Sequence, residues 1–196
     1  MIDALLAAVP THGVWLVAAV TFLSCLALPM PASLVMLTAG GFAAAGDLDL
    51  WQVLGAALLG AVLGDQLGYW AARLGGAPML ARLSHGKRRA ALLARATAFV
   101  TRRGVLAVFL SRWLFSPLGP YANLATGAIG FGWLRFSLAG ITGEAIWVGL
   151  YTSIGYGFAG NLTAASTRLI IRLEGVPQLG EGVELNPPVA LSVHAG

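Results

Sequence analysis

Residues 13–45 read GVWLVAAVTFLSCLALPMPASLVMLTAGGFAAA, an uncharged apolar run cut near its middle by Pro29-Met30-Pro31. Such a stretch belongs in hydrocarbon, yet each arm has only about 14 to 16 residues, short of the roughly 20 a helix needs to span. Proline removes a backbone donor and clashes with the preceding turn. A helix interrupted at membrane depth therefore persists only where protein or a wet cavity satisfies its backbone. The reading is a helical hairpin that enters and leaves on one side, with one long kinked helix as the alternative.

The same pattern recurs downstream. Residues 104–131 are apolar apart from Arg112 and are broken at Pro117 and Pro120. Each broken stretch precedes a longer one: residues 50–74, which would make a helix of roughly 37 Å, and residues 133–158. Between the halves, residues 79–103 carry Arg82, Lys87, Arg88, Arg89, Arg95, Arg102 and Arg103 without an acid. Leu83, Leu92, Leu93, Ala96 and Phe99 recur among these charges at near-helical spacing. That predicts an amphipathic helix lying along the cytoplasmic headgroups, by the excess of cations in cytoplasmic loops. The first span then runs outside to inside, the second hairpin dips in from the cytoplasm, and the second span returns.

The predicted fold class is all-α: a polytopic membrane protein with two opposed re-entrant hairpins, each followed by a transmembrane helix, as an inverted repeat. Residues 1–160 form the membrane domain. Residues 161–196 are read as an amphipathic segment, with Arg168 and Arg172 one turn apart, and an extended tail rich in Pro and Gly.

Composition agrees. Of 196 residues, 58% are hydrophobic and 10% charged, with a mean hydropathy of +0.79, which excludes an ordinary soluble domain. The net charge of +4 comes from the basic segment, which has no array of stacking aromatics, so nucleic acid is not an expected partner. The N-terminal region carries Asp3 and no Lys or Arg, the wrong charge for a secretory signal. Cys25, the lone cysteine, reads as a small buried side chain. His12, His85 and His194 lie far apart, so no metal site is expected. No nucleophile elbow, phosphate loop, Cys-x-x-Cys or His-Glu-x-x-His occurs, so neither an enzyme nor a cofactor is expected.

Three charges fall inside the apolar runs: Asp65 and Glu144 in the two spans and Arg112 in the second hairpin, at comparable depth. Each costs on the order of 3 kcal/mol near the bilayer centre and calls for a partner. In one reading Arg112 grips an anionic head group or an acid while Asp65 or Glu144 exchanges a proton. In the other, a structural Arg–acid pair locks hairpin to span. Tyr69 follows Asp65 by one helical turn, and Asn123 either caps the short helix after Pro120 or binds a polar head group. Ala56, Gly60, Gly64, Gly68 and Ala72 form a small-residue stripe, expected to receive the Gly-rich first hairpin. Arg73 reads as a snorkelling anchor, and Trp51, Trp113 and Trp133 as interface anchors.

These motifs in order resemble the DedA family, whose core is also called the VTT or SNARE-associated domain. Residues 27–33, ALPMPAS, with Ala39-Gly40-Gly41, are similar to its proline-rich first re-entrant motif. Residues 64–75, GDQLGYWAARLG, are similar to its Gly-Asp, Tyr, Gly-Arg signature. Ser111-Arg112, Pro117, Pro120, Gly127 and the 136–147 segment resemble its second re-entrant motif and following helix. Ser24 and Ser33 stand where the family often has acids, and a second arginine near Pro120 is missing.

The resemblance implies movement of lipids or lipid-linked phosphates across a bacterial inner membrane by a multi-pass protein, with Arg112 carried over directly, Asp65 as the Gly-Asp acid and Glu144 by position; with Asn123 and Tyr69 from the reading above, these are the candidate binding residues. Pro29, Pro31, Pro117 and Pro120 would be the hairpin breaks. Expected partners are membrane lipids, polyprenyl phosphate or anionic phospholipid among them, and a second copy of the chain. A proton- or cation-coupled exporter of small solutes and a non-transporting scaffold are the alternatives.

Overall fold

The computed structural model describes residues 2–26, 28, 30–83, 85–114 and 118–174; the side chains of residues 2–11, 77, 79, 83, 113 and 162–174 lie outside that description. Pro29, Pro117 and the tail from residue 175 therefore carry no structural statement. Among the described residues all regular structure is helical. Seven helices follow in order: α1 (Ile2–Ser24), α2 (Ala32–Ala45), α3 (Leu50–Leu83), α4 (Lys87–Arg103), α5 (Val105–Trp113), α6 (Gly119–Ala128) and α7 (Trp133–Glu174). The chain divides into two units after Asn161, and of the second only the helical residues 162–174 are described. Helices α1 to α6, and α7 as far as Asn161, belong to the first.

Local chemistry explains most boundaries. Pro31 precedes α2, and Gly46, left-handed at φ 88°, closes it by donating to the Ala43 and Phe42 carbonyls. Asp49 caps α3, its Oδ1 accepting the Gln52 N–H at 2.8 Å. The expected stop after residue 74 is a sharp break at Gly76 (φ 57°, ψ −156°), a conformation open to glycine, after which the helix resumes to Leu83. Gly104, at φ 54°, separates α4 from α5.

Three expectations need correction. The first arm is the 23-residue α1, longer than the apolar run indicated. The basic segment is not one helix, because Gly86, at φ 100°, starts α4 afresh. Nor does the apolar face of α4 meet headgroups: Ala96 and Val100 are buried, packed with Leu92, Leu93 and Phe99 around Tyr121, Ala122 and Leu124 of α6. The basic face, with Arg88, Arg89, Arg95, Arg102 and Arg103, remains exposed.

Glycines set the packing. A Cβ at Gly60 would strike the Ala18 carbonyl and Thr21, and one at Gly64 would lie 2.6 Å from the Phe22 carbonyl, so α1 lies directly on α3. A Cβ at Gly68 would meet Asn123 of α6 at 3.1 Å, and one at Gly127 of α6 would strike the Tyr69 carbonyl of α3. On α7, Gly155 abuts the Leu37 carbonyl of α2, and a Cβ at Gly143 would lie 2.9 Å from the Phe109 carbonyl of α5. Each long helix thus receives the first arm of the broken pair preceding it and the second arm of the other pair. Gly60 and Gly64 of the α3 stripe take α1, one arm of the expected first hairpin, whereas Gly68 and Ala72 take α6 and the Gly40-Gly41 arm lies on α7.

The opposite faces are apolar and exposed: Leu59, Leu63, Leu67 and Leu74 on α3, Leu134, Leu138, Ile154 and Phe158 on α7. Continuous apolar surface on this scale needs a non-aqueous neighbour. One helix among the described residues, Leu50–Gly76, is long and apolar enough to cross a membrane by length and composition. The expected second span lies within α7, but its Gly, Ser, Thr and Tyr residues and Glu144 dilute its hydropathy.

Candidate functional site

Arg112 stands in the last turn of α5 and is 4% exposed. It can sit there because Gly140 and Gly143 of α7 have no side chains: a Cβ at Gly143 would lie 2.7 Å from Arg112 Cγ. Its Nη1 donates to Asp65 Oδ1 of α3 at 2.8 Å, its Nη2 donates to Asn123 Oδ1 of α6 at 2.7 Å, and its Nε lies 3.7 Å from Glu144 Oε1 of α7. The guanidinium also lies 5.6 Å from the centroid of the Phe136 ring, within cation–π range. Asn123 completes the network, its Nδ2 donating to Asp65 Oδ1 at 2.8 Å and to the Cys25 carbonyl at 3.4 Å.

Four of the five expected site residues therefore meet: Arg112, Asp65, Glu144 and Asn123, all at most 4% exposed. Asn123 is not a cap. It lies inside α6, five residues from Leu118, which precedes the helix, and spends its side chain on the charged pair. Tyr69 is not brought to the cluster: its hydroxyl donates to the Phe131 carbonyl at 2.6 Å and its ring stacks on Phe136 at 4.7 Å. The same Phe136 ring lies under the Arg112 guanidinium. Of the four prolines expected to break the hairpins, Pro31 precedes α2 and Pro120 lies in the first turn of α6, while Pro29 and Pro117 lie outside the described residues.

A cavity of about 310 Å3 opens against this cluster, with Cys25, Ser33, Ser111, Arg112, Glu144 and Trp147 on its wall. Residues beside both interruptions line it, Leu28 and Met30 between α1 and α2, and Gly119 and Pro120 at the start of α6. Asp65 Oδ2 and Glu144 Oε2 are buried and, among the described residues, meet no donor from outside the group formed by the two acids and the Cys25 thiol; Trp147 Nε1 has no hydrogen-bond partner there. Cys25 was the residue that sequence reasoning missed: its Sγ and a carboxylate oxygen each of Asp65 and Glu144 lie within 4.8 Å of one another. Nothing in the spacing of Cys25, forty residues before Asp65, signals that meeting.

Comparison with known proteins settles the family. The VTT domain matches residues 28–157. The chain belongs to the VTT-domain, or DedA, family. It is 34% identical to an uncharacterized membrane protein of Synechocystis over 130 residues, covering 66% of this chain and 59% of that protein. It is 35% identical to uncharacterized membrane proteins of Mycobacterium bovis and Mycobacterium tuberculosis over 168 residues, covering 81% of this chain and 75% of each. The chain thus spans less than two thirds of the cyanobacterial relative. No solved structure matches it. Matched region and cluster coincide: Asp65, Arg112, Asn123 and Glu144 all fall inside the VTT domain, which makes this chain a membrane protein with a buried polar centre.

Proposed function

We propose that this VTT-domain protein is a non-enzymatic transporter or flippase that moves an anionic lipid or lipid-linked phosphate across the bacterial inner membrane. The observation that carries the reading is Arg112, a buried arginine on the wall of a cavity otherwise largely apolar. A planar guanidinium suits a phosphate, which accepts two of its N–H bonds at once, and the apolar walls suit the adjoining chain. In the resting arrangement Asp65 and Asn123 hold the guanidinium. An incoming phosphate replaces Asp65 as its acceptor, and Asp65 and Glu144 modulate the exchange.

The finer architecture follows from the same reading. The two broken pairs, α1–α2 and α5–α6, act as opposed re-entrant hairpins, with α3 and α7 as spans of a multi-pass protein. The exchange of arms between α3 and α7 is what an inverted repeat produces, and it allows one half to rock against the other around a fixed site. Expected partners are lipids and a second copy of the chain.

Reconstitution tests this. Proteoliposomes should translocate a fluorescent polyprenyl phosphate or anionic phospholipid analogue, and Arg112→Ala should abolish translocation while the protein still inserts. Unchanged translocation in that variant refutes the proposal. The surplus of two carboxylates over one arginine favours a second reading, a cation-coupled exporter of small solutes. Protein-dependent solute flux that collapses with the cation gradient, without lipid movement, selects it.

A further inference from the structure

The hydrogen bonds around Arg112 leave one side of the cluster unsatisfied. Asp65 spends Oδ1 on both Arg112 and Asn123, and Glu144 turns Oε1 toward Arg112; among the described residues neither Asp65 Oδ2 nor Glu144 Oε2 meets a donor from outside the group formed by the two acids and the Cys25 thiol. Both residues are 2% exposed. A buried carboxylate oxygen short of donors is costly, and here two of them belong to side chains that converge with the Cys25 thiol within 4.8 Å.

We propose that Cys25 Sγ, Asp65 and Glu144 form a binding site for a thiophilic divalent cation of the zinc class. Charge supports the valence. A thiolate and two carboxylates carry three negative charges, Arg112 carries one positive, and a divalent ion closes the sum to zero, the condition a buried cluster requires. Ligand chemistry supports the class, because magnesium and calcium take oxygen donors, whereas a sulfur–carboxylate set selects zinc and its neighbours. Three protein ligands leave a fourth position open, the arrangement of zinc sites that exchange a ligand. Cys25 and Glu144 line the cavity, together with Ser24, so a fourth ligand has a route to the site from there. Binding releases the thiol proton.

The three ligands come from different parts of the fold. Cys25 follows α1, Asp65 is on α3, and Glu144 is on α7. The ion would therefore tie the first broken pair to both long helices, at the point where Asn123 of α6 also touches the Cys25 carbonyl. The proposed ligand set contains no histidine, which is why the sequence pointed to no metal. The site does not depend on lipid transport and is tested without it.

The probe is Co2+, added to the purified full-length protein in detergent with Zn2+ as competitor. The expected result is one equivalent bound, with a thiolate-to-cobalt charge-transfer band that Zn2+ abolishes. Cys25→Ser should remove the band, and Glu144→Gln, which keeps the size of the side chain, should weaken binding at least tenfold. A cobalt complex without the band overturns the proposal in favour of a surface site, and a band unaffected by Glu144→Gln overturns it by removing Glu144 from the ligand set. So does a protonated-carboxyl infrared absorption that persists with excess Co2+, because the two carboxyl groups would then be sharing a proton.

Discussion

Arg112 and Asp65 meet at 2.8 Å although 47 residues separate them, and both side chains are at most 2% exposed. A pair this deep contributes little net stability, because desolvation offsets its attraction, yet breaking it leaves an uncompensated charge. Arg112→Ala should therefore destabilise the folded protein by about 3–5 kcal/mol. Replacing the charged group together, as Arg112→Met with Asp65→Leu and Glu144→Gln so that no buried charge is stranded, should recover most of that loss and still abolish translocation. Thermal unfolding in detergent separates the two effects; a triple variant as unstable as the single one would show that the charged group is not the source.

The glycine contacts predict a matched pair of substitutions on α7. A methyl at Gly155 collides with the Leu37 carbonyl, while one at Gly149 meets nothing within 4 Å. Gly155→Ala should cost about 1–3 kcal/mol through overpacking. Gly149→Ala should be neutral or up to about 1 kcal/mol stabilising, because alanine is the better helix former. Equal melting temperatures for the two variants would contradict the packing of α2 on α7.

How much of the fold was readable in advance depends on punctuation. The bounds of α2 were legible because Pro31 and Gly46 mark both ends, and the break after residue 74 because Gly75-Gly76 announces it. The start of α1 was not, since Asp3 and His12 interrupt the apolar pattern without breaking the helix. Arg112, Asp65 and Glu144 stood out as charges in apolar surroundings. Their meeting with Asn123 and Cys25 did not, because a proline just before Asn123 favours the capping reading and a lone cysteine gives no periodic signal. The face of α4 was legible as amphipathic, but nothing in one helix tells a lipid-facing stripe from one covered by α6.

Tyr69 supplies a control for the site. Its hydroxyl bonds the Phe131 carbonyl in the connection before α7 and does not touch the charged cluster. Tyr69→Phe should cost about 0.5–1.5 kcal/mol for the lost hydrogen bond and leave lipid translocation within a factor of a few of the parent protein. A collapse of translocation at unchanged stability would place Tyr69 in the binding machinery after all.

Ser33 offers a way to close the cavity without touching its charges. It lies in the first turn of α2, half-buried, on the cavity wall near Arg112, Glu144 and Trp147. Ser33→Trp should fill part of the 310 Å3 space and stop translocation, at a cost of no more than about 1–3 kcal/mol in overpacking at this half-buried position. Thr38→Trp is the companion on the same helix. Thr38 is exposed and lies in the apolar groove between α1 and α2, away from Arg112, so the same added bulk should leave translocation intact. If both variants transport equally well, the lipid does not pass through the space between the two helix breaks, because the one obstruction that differs between them lies there.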